Sequence, residues 1–212
     1  MSVAVVVAAG FVGCGGESAG GPTPAVQSSS SPLSSDAGGA GSGGGSDGGG
    51  EVTGRTPNLP PENAALEAPD FKDYTGITYE TDQGAQETAK YFFDAMYYAY
   101  ATGDTEALRE SSNLETCGAC NRLIDEIDKW RSRGTYLSPA TIEHVDSWVS
   151  GKKDGISEVH YIFRVNDVKK FKKGEELEQF PSKEYASGFR MKFANGKWQI
   201  QGVAWKGSDE VE

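Results

Sequence analysis

Residues 81–105 read TDQGAQETAKYFFDAMYYAYATGDT, and this stretch decides the fold. Its apolar residues recur at steps of three and four, which predicts a helix over residues 85–101 with one broad buried side. That side consists of Ala85, Ala89, Phe92, Met96, Ala99 and Tyr100, and is widened by Phe93 and Tyr97. Gly103 ends the helix, and Asp104 caps a second helix over residues 105–111. So broad an apolar side needs a large surface to pack against.

Beyond this helix the hydrophobic period changes from helical to extended. A third helix is predicted over residues 117–133, with Cys120, Leu123, Ile124, Ile127 and Trp130 facing inward. After Gly134, alternating apolar and polar residues predict strands over residues 142–149, 157–168, 185–193 and 198–205. We therefore expect an α+β domain, in which N-terminal helices pack on one face of a bent antiparallel sheet.

The last predicted hairpin has two local signals. Asn195-Gly196 joins its strands, and this dipeptide predicts a type I′ turn. In the final strand Trp198 and Ile200 share one face, whereas Val203 and Trp205 fall on the other. Such a change of phase predicts a β-bulge near Gly202, which would bend the sheet.

The N-terminal part of the chain has a different composition. From Gly15 to Thr56 it is mainly Gly, Ser, Ala, Pro and Asp, with no aromatic residue. Such a segment cannot bury enough apolar surface to offset the entropy of ordering it. We expect residues 14–56 to form a disordered tether, residues 57–207 the domain and residues 208–212 a C-terminal tail. Glycosylation of Ser28–Ser31, which would stiffen the tether, stays open.

Residues 1–13 are almost wholly small and apolar, which is typical of an export signal and too short for a membrane span. The stretch Phe11-Val12-Gly13-Cys14 resembles a bacterial lipobox, although Phe11 stands where Leu is usual and no basic residue precedes the apolar run. The resemblance implies that Cys14 is diacylated and anchors the chain on the extracytoplasmic face of the cell membrane. A frayed apolar end without lipid is the alternative, and the true start codon stays open.

The charge of the chain limits its partners. Lys and Arg number 20 against 31 Asp and Glu, a net charge of −11. This excess repels nucleic acid and anionic lipid, so we expect no nucleic-acid partner and membrane contact only through the lipid. A local basic run, Lys169, Lys170, Lys172 and Lys173, is followed by Glu175, Glu176 and Glu178. Balanced charge of this kind predicts a solvated loop, and contact of the lysines with an anionic envelope polymer is the alternative.

A family resemblance rests on the order of elements and two short motifs. Thr102-Gly103-Asp104-Thr105 follows the first helix, and Cys117-Gly118-Ala119-Cys120 opens the third. From about Pro57 to Lys206 the chain resembles a family of uncharacterised actinobacterial envelope lipoproteins, and it is similar to the wider nuclear transport factor 2-like superfamily. The resemblance implies a cone-shaped pocket between sheet and helices. It implies no reaction, because that fold hosts isomerases, dehydratases, binding modules and inert accessory domains.

The remaining cysteines, Cys117 and Cys120, are expected to form a structural disulfide in an oxidising compartment. The alternative is a thioredoxin-type dithiol, which has the same spacing at a helix N-terminus. Thioredoxin folds carry the motif directly after a strand, whereas helices flank it here, and this favours the structural bond. We expect no metal site, because two histidines make a poor zinc site, and no cofactor motif is present.

The candidate pocket residues lie on the first helix and on the strand over residues 157–168. They are Phe92, Asp94, Met96, Tyr97, Tyr98, Tyr161 and Phe163. An isomerase-like site would need Asp94 as a base beside a donor such as Tyr97 or Tyr98, whereas the plainer expectation places Asp94 on the solvated side of its helix. His144 and His160 lie on neighbouring predicted strands. We expect both to be partly solvated sheet residues. The alternative is that they face each other or a pocket.

Two classes of function follow from these residues. We expect a non-enzymatic domain that binds a small apolar ligand or an envelope protein in or around its cone. The rival is an isomerase or hydratase in the same pocket, with a thiol oxidoreductase as a third reading. A closed pocket without a buried titratable group would favour binding, whereas a carboxylate buried beside a tyrosine hydroxyl would favour the enzyme.

Overall fold

A computed structural model describes residues 54–208 of the chain. In this range helices precede antiparallel strands, so the predicted α+β class is confirmed. The helices are α1 Pro61–Ala64, a 3-10 helix Phe71–Asp73, α2 Asp82–Thr102, α3 Glu106–Ser111 and α4 Gly118–Ser132. The strands are β1 Thr135–Leu137, β2 Ile142–Lys153, β3 Ile156–Val165, β4 Val168–Lys172, β5 Glu175–Phe180, β6 Lys183–Ala194 and β7 Lys197–Gly207. The signal segment, Cys14 and Ser28–Ser31 lie outside the described residues.

Helix α2 contributes more buried hydrophobic residues to the core than any other helix or strand of the described range. The hydroxyl of Thr81 accepts a hydrogen bond from the Gly84 amide and caps the N-terminus, and Gly103 ends the helix with a φ of 85°. Phe92 and Phe93 are fully buried, and both rings contact Phe189 of β6. The predicted helix is therefore confirmed, although it begins three residues earlier and ends one residue later.

The strands form a four-stranded sheet, ordered β2-β3-β6-β7, and a three-stranded sheet, ordered β1-β4-β5. Two-residue turns with positive φ at both positions close three hairpins: Asp154-Gly155, Lys173-Gly174 and Asn195-Gly196. Positive φ at both central positions defines a type I′ turn, whose twist matches that of the paired strands. The turn predicted at Asn195-Gly196 is confirmed.

A β-bulge interrupts β7 where the change of phase predicted it. Arg190 pairs with Gly202 and Met191 with Ile200, which leaves Gln201 without a residue opposite it on β6. Ile200 and Val203 are both buried because the bulge restores Val203 to the core face. Two further register shifts lie in β2, one between His144 and Asp146.

The charged run of residues 169–178 is not the solvated loop that its composition predicts. It forms the hairpin β4–β5, in which the Lys169 ammonium lies 2.8 Å from the Glu176 carboxylate. Opposite charges on paired strands support such a hairpin. The predicted strand over residues 157–168 is likewise two strands, since β3 ends at Val165 and Val168 begins β4. β1 was not predicted.

The folded part of the chain begins before the predicted boundary at Pro57. The Thr56 amide donates a 2.7 Å hydrogen bond to the carbonyl of Thr102, and Thr56 is buried. The Arg55 guanidinium donates to the carbonyls of Ala64 and Leu66 and to the hydroxyl of Tyr98. Arg55 and Thr56, assigned to the tether from composition, are thus packed against the domain.

Candidate functional site

A polar cluster around Asp94 connects α2 to the sheet. The Tyr74 hydroxyl donates a 2.7 Å hydrogen bond to Oδ2 of Asp94. Oδ1 of Asp94 lies 3.6 Å from Nε2 of His144, and Nδ1 of His144 is hydrogen-bonded to the hydroxyl of Tyr161. The four side chains thus form a continuous Tyr–Asp–His–Tyr series, which we call the Asp94 cluster.

Each member of the Asp94 cluster is held in place by the fold. Tyr74 follows the 3-10 helix, and its ring meets the edge of Tyr91 with centroids 5.2 Å apart. Tyr161 is buried on the side of β3 that faces α2, where its ring stacks on Phe93. His144 is paired with Phe163 across the β2–β3 ladder, so its side chain lies on the same face of the sheet as that core residue.

Burial sets the protonation of the cluster. It raises the pKa of Asp94 to about 6, against the opposing effects of the Tyr74 hydrogen bond and of Lys90. Burial, with a further contribution from Lys90, lowers the pKa of His144 to about 4. Burial and the Asp94 charge together raise the pKa of Tyr74. Near pH 7 His144 is therefore neutral and Asp94 mostly ionised, so their contact is not an ion pair.

Two clefts adjoin the cluster. The Asp94 cleft, of about 190 Å³, has apolar walls made by Leu66, Pro69, Ala101, Ala140 and Ile142. It also includes Tyr97 and Tyr98 and the carboxylates of Asp94 and Glu67. The polar cleft, of about 340 Å³, is lined by His144, Tyr161, Lys90, Glu87, Asp146 and neighbouring polar groups. The cluster thus meets a cleft of mixed apolar and polar lining at Asp94 and a mainly polar one at His144.

The sequence matches a family of unknown function, DUF6318, over residues 61–204. The chain belongs to this family. The matched range runs from α1 into β7 and contains every residue of the Asp94 cluster. No curated protein matches the sequence.

Three solved structures are similar to the DUF6318 chain at low identity. The intermembrane space region of the chloroplast protein ARC6 is 12% identical, with a TM-score of 0.45 over 60% of this chain and 98% of that one. A putative calcium/calmodulin dependent protein kinase II association domain from Xanthomonas campestris is 12% identical, with a TM-score of 0.35 over 69% and 99%. A de novo designed protein with a curved β-sheet is 17% identical, with a TM-score of 0.31 over 58% and 99%. Nothing about function follows from likenesses this distant.

The structure divides the predicted pocket residues of the DUF6318 domain into two groups. Asp94, Tyr97 and Tyr98 line the Asp94 cleft, and Tyr161 lines the polar cleft. Phe92, Met96 and Phe163 are at most 3% exposed and belong to the hydrophobic core, so assigning them to a pocket was wrong. They occupy the positions of α2 and β3 that face each other, where the interior is filled by aromatic rings.

Asp94 does not lie on the solvated side of α2, as the plainer expectation had it. Its side chain is 23% exposed and is turned toward Tyr74 and His144. The hydroxyl that donates to Asp94 belongs to Tyr74, not to Tyr97 or Tyr98. The Tyr98 hydroxyl instead accepts a hydrogen bond from Arg55 and donates one to Asp104. No periodic pattern marks Tyr74, so residue spacing could not identify it.

The two histidines lie on opposite faces of the sheet and do not meet. His160 stacks on Trp148, with ring centroids 4.9 Å apart, and its Nε2 lies 3.0 Å from the hydroxyl of Ser150. The expectation of a partly solvated sheet residue therefore fits His160. His144 instead joins the Asp94 cluster, which the sequence had left as one of its alternatives.

The cysteine pair lies at the start of α4, with α3 preceding it in the chain. The Cys117 and Cys120 sulfurs are at bonding distance, their Cα atoms are 5.2 Å apart, and both residues are buried. Among residues 54–208, no group of three or more His, Cys, Asp or Glu could hold a metal ion. No helix of that range is long and apolar enough to cross a membrane.

Proposed function

We propose that this chain is an extracytoplasmic lipoprotein, anchored through Cys14, whose domain binds a small, mainly apolar ligand without catalysing a reaction. The Asp94 cleft carries this proposal. Ligand sites in proteins are concave and mostly apolar, with a few polar groups that fix orientation. The cleft combines apolar walls with polar groups, and its volume of about 190 Å³ lies below that of most ligand pockets, so it suits only a small ligand of one ring or a short chain. An envelope protein that covers the cleft is the other form of the proposal.

We further propose that the domain is a nuclear transport factor 2-like cone. A nuclear transport factor 2-like cone would place its mouth at the Asp94 cleft, between α2 and the start of β2. The bulges of β2 and β7, which bend a sheet, support this assignment. Aromatic rings, among them Phe93 and Phe163 with centroids 4.0 Å apart, fill the space deeper inside. Only the mouth of such a cone is therefore open to a ligand.

The anchoring part of the proposal rests on the sequence. The lipobox-like end at Cys14 and the Gly- and Ser-rich stretch after it are typical of a lipidated tether. Arg55 and Thr56 are packed where this stretch would meet the domain, which gives the tether a defined point of attachment.

One observation favours a second candidate, an isomerase or hydratase. Asp94 is half-buried beside a tyrosine hydroxyl, and its pKa of about 6 is suited to a general base. A carboxylate buried beside a tyrosine hydroxyl is the arrangement expected of such an enzyme. Against it stand the small volume and open form of the cleft, since such catalysis depends on a site shielded from water. Binding therefore remains the main proposal.

Protein-observed NMR tests the binding function. Benzyl alcohol, indole and cyclohexanone are added in turn to the exported chain carrying Cys14→Ser. We expect shifts of the backbone amides of Ala101, Ala140 and Ile142, which line the cleft. Ala140→Leu fills the cleft and should abolish these shifts, whereas Ala204→Leu, at an exposed position outside the cleft, should not. If no probe shifts these amides, the binding proposal is wrong.

Cyclohexanone also tests the second candidate. An enzyme of the isomerase type would use the Asp94 carboxylate to remove a proton from the carbon beside the carbonyl, and the enolate formed would take a deuteron from D₂O. Exchange above the buffer rate that is lost in Asp94→Asn would favour the enzyme. Exchange at the buffer rate with bound cyclohexanone would favour a binding domain.

A further inference from the structure

We propose that the ligand of the Asp94 cleft is an organic ammonium, with an apolar body and one positively charged nitrogen that pairs with Asp94. This inference rests on the proposed function and names the ligand class of the same cleft. Three features of the described residues carry it: an incompletely bonded carboxylate, an unbalanced negative charge and an apolar wall.

The Asp94 carboxylate has unused acceptor capacity. Oδ2 accepts the hydrogen bond from Tyr74, whereas Oδ1 lies 3.6 Å from Nε2 of His144, beyond ordinary hydrogen-bond length. An ionised carboxylate offers about four acceptor positions. Because Asp94 lines the cleft, a ligand inside it can donate a hydrogen bond to this carboxylate without displacing Tyr74.

The charge of the cleft is negative and is not balanced from within. Among residues 54–208, Asp94 and Glu67 are the only charged residues that line it. Of the nearby cations, Arg55 is held by two backbone carbonyls and by Tyr98. Lys90 lines the polar cleft instead, with Nζ 5.6 Å from the ring centroid of Tyr74. Lys90 acts on Asp94 from the neighbouring cleft and lowers its pKa, but no described cation lines the Asp94 cleft itself. An ammonium inside the cleft would therefore meet two carboxylates, whereas an anionic ligand would be repelled by them.

The walls of the cleft favour an apolar body next to the charged nitrogen. Leu66, Pro69, Ala101, Ala140 and Ile142 present hydrocarbon, and the Tyr97 and Tyr98 rings add aromatic surface. Burial of an apolar body supplies affinity that depends little on direction. A charge-assisted hydrogen bond is about twice as strong as a neutral one, so the nitrogen would fix the orientation. A neutral alcohol of the same shape can also donate to the ionised carboxylate, but it lacks the Coulomb attraction between cation and carboxylate, so it should bind more weakly.

Three probes of one shape test the inference: benzylammonium, benzyl alcohol and benzoate. Their dissociation constants are measured by NMR on the exported Cys14→Ser chain near pH 7.5. Salt at about 0.15 M screens non-specific attraction of the cation to a chain of net charge −11. We expect benzylammonium to bind about tenfold more tightly than benzyl alcohol, and benzoate to bind most weakly.

Two carboxylate variants separate a specific contact from a general one. Asp94→Asn should bring the affinities of benzylammonium and benzyl alcohol within about twofold of each other, because the ion pair between the ammonium and the carboxylate is lost. Asp146→Asn removes an exposed carboxylate that lines the polar cleft and should keep the tenfold preference. A preference that survives Asp94→Asn would overturn the inference.

The pH dependence of the unmodified cleft gives a second readout if Asp94→Asn does not fold. Tyr74, Glu87, Lys90, His144 and Tyr161 surround or influence Asp94, and Glu67 shares its cleft. Because the pKa of Asp94 is about 6, benzylammonium should bind progressively more weakly as the pH falls through that value. Benzyl alcohol should show no such loss. Equal pH profiles for both probes would contradict the inference.

The outcomes distinguish this inference from the proposed function. If benzyl alcohol shifts the cleft amides as strongly as benzylammonium at equal concentration, the ligand class is wrong and the binding function stands. If none of the three probes shifts the amides of Ala101, Ala140 or Ile142, the binding function itself is wrong.

Discussion

The Tyr74 hydroxyl donates a 2.7 Å hydrogen bond to the Asp94 carboxylate across 20 residues of sequence. This bond joins the segment before α2 to the middle of that helix, while Oδ1 of Asp94 lies 3.6 Å from Nε2 of His144. It also lowers the pKa of Asp94, because it favours the ionised form and so opposes the larger effect of burial.

Replacing Tyr74 with Phe should therefore raise the pKa of Asp94 above its value of about 6. The phenyl ring keeps the burial and removes only the donated hydrogen bond. The pKa is measured by following the Asp94 side-chain carboxyl carbon by NMR against pH. Tyr79→Phe is the matched control, since Tyr79 is 67% exposed and should leave this titration unchanged. An unchanged or lower pKa in Tyr74→Phe would contradict the role assigned to the bond.

Asp94 and His144 should make opposite contributions to the pH dependence of stability. The folded-state pKa of Asp94 is about 6, above the usual 3.8, so stability falls as the pH rises between these values. The folded-state pKa of His144 is about 4, below the usual 6.5, so stability rises with pH in that window. In the parent chain the two contributions largely cancel between about pH 4 and 6.

Single variants should separate these contributions. In Asp94→Asn the free energy of unfolding should rise with pH from about 4 to 6.5, and in His144→Gln it should fall from about 4 to 6. Urea unfolding at stepped pH measures both slopes. His160→Gln, on the opposite face of the sheet, should keep the parent profile. Slopes of the same sign in the two variants would show that the assignment of the shifts is wrong.

The elements that sequence periodicity predicts are those with one apolar side. α2 repeats its apolar residues over 21 residues, and the phase change between Ile200 and Val203 locates the bulge of β7. Strand β5 of the hairpin β4–β5 has no such side, because it is exposed along almost its whole length. The turn of this hairpin places Lys173 at a φ of 52°, which a non-glycine residue seldom adopts. Periodicity therefore had nothing to detect in β5.

The candidate site could be predicted only in part. Tyr97 and Tyr98 follow Asp94 by three and four residues on α2. Residues at these spacings are neighbours on a helix, so the predicted helix already places the three side chains close together. The contact of His144 with Asp94 depends instead on the register of β2 against β3, which shifts directly after His144. Tyr74 lies outside every periodic element. Tertiary packing therefore fixes the partners of Asp94, and local spacing does not.

Arg55 should stabilise the domain although it was assigned to the tether. Its guanidinium makes three hydrogen bonds, two of them to backbone carbonyls, and lies over the ring of Tyr98. Arg55→Ala leaves these acceptors without their donor, so we expect a loss of about 1–3 kcal/mol in the free energy of unfolding. Arg133→Ala, at an exposed position after α4, should change stability little. Equal effects in urea unfolding would place Arg55 outside the cooperative unit.

The Cys117–Cys120 bond should be structural and inactive in thiol exchange. Both residues are at most 1% exposed, so neither sulfur can meet a disulfide of another protein. In a Cys14→Ser background, replacing both with Ser should lower stability by up to about 3 kcal/mol and loosen the start of α4. The parent domain should not accelerate the reduction of insulin. Insulin reduction at a thioredoxin-like rate, lost in the double variant, would instead identify an envelope oxidoreductase.

Replacing Cys14 with Ser should move the protein from the membrane fraction to the soluble exported fraction. The net charge of −11 repels anionic lipid, so the two acyl chains expected on Cys14 are the attachment that the sequence provides. The matched control combines Cys14→Ser with Ser18→Cys, which moves the cysteine four residues along the chain. This variant should stay soluble, because the lipobox-like sequence no longer directly precedes the cysteine. Fractionation of cells and immunoblotting measure the distribution. Membrane association that persists in Cys14→Ser would contradict the anchor, and recovery of anchoring in the double variant would show that the position of the cysteine does not matter.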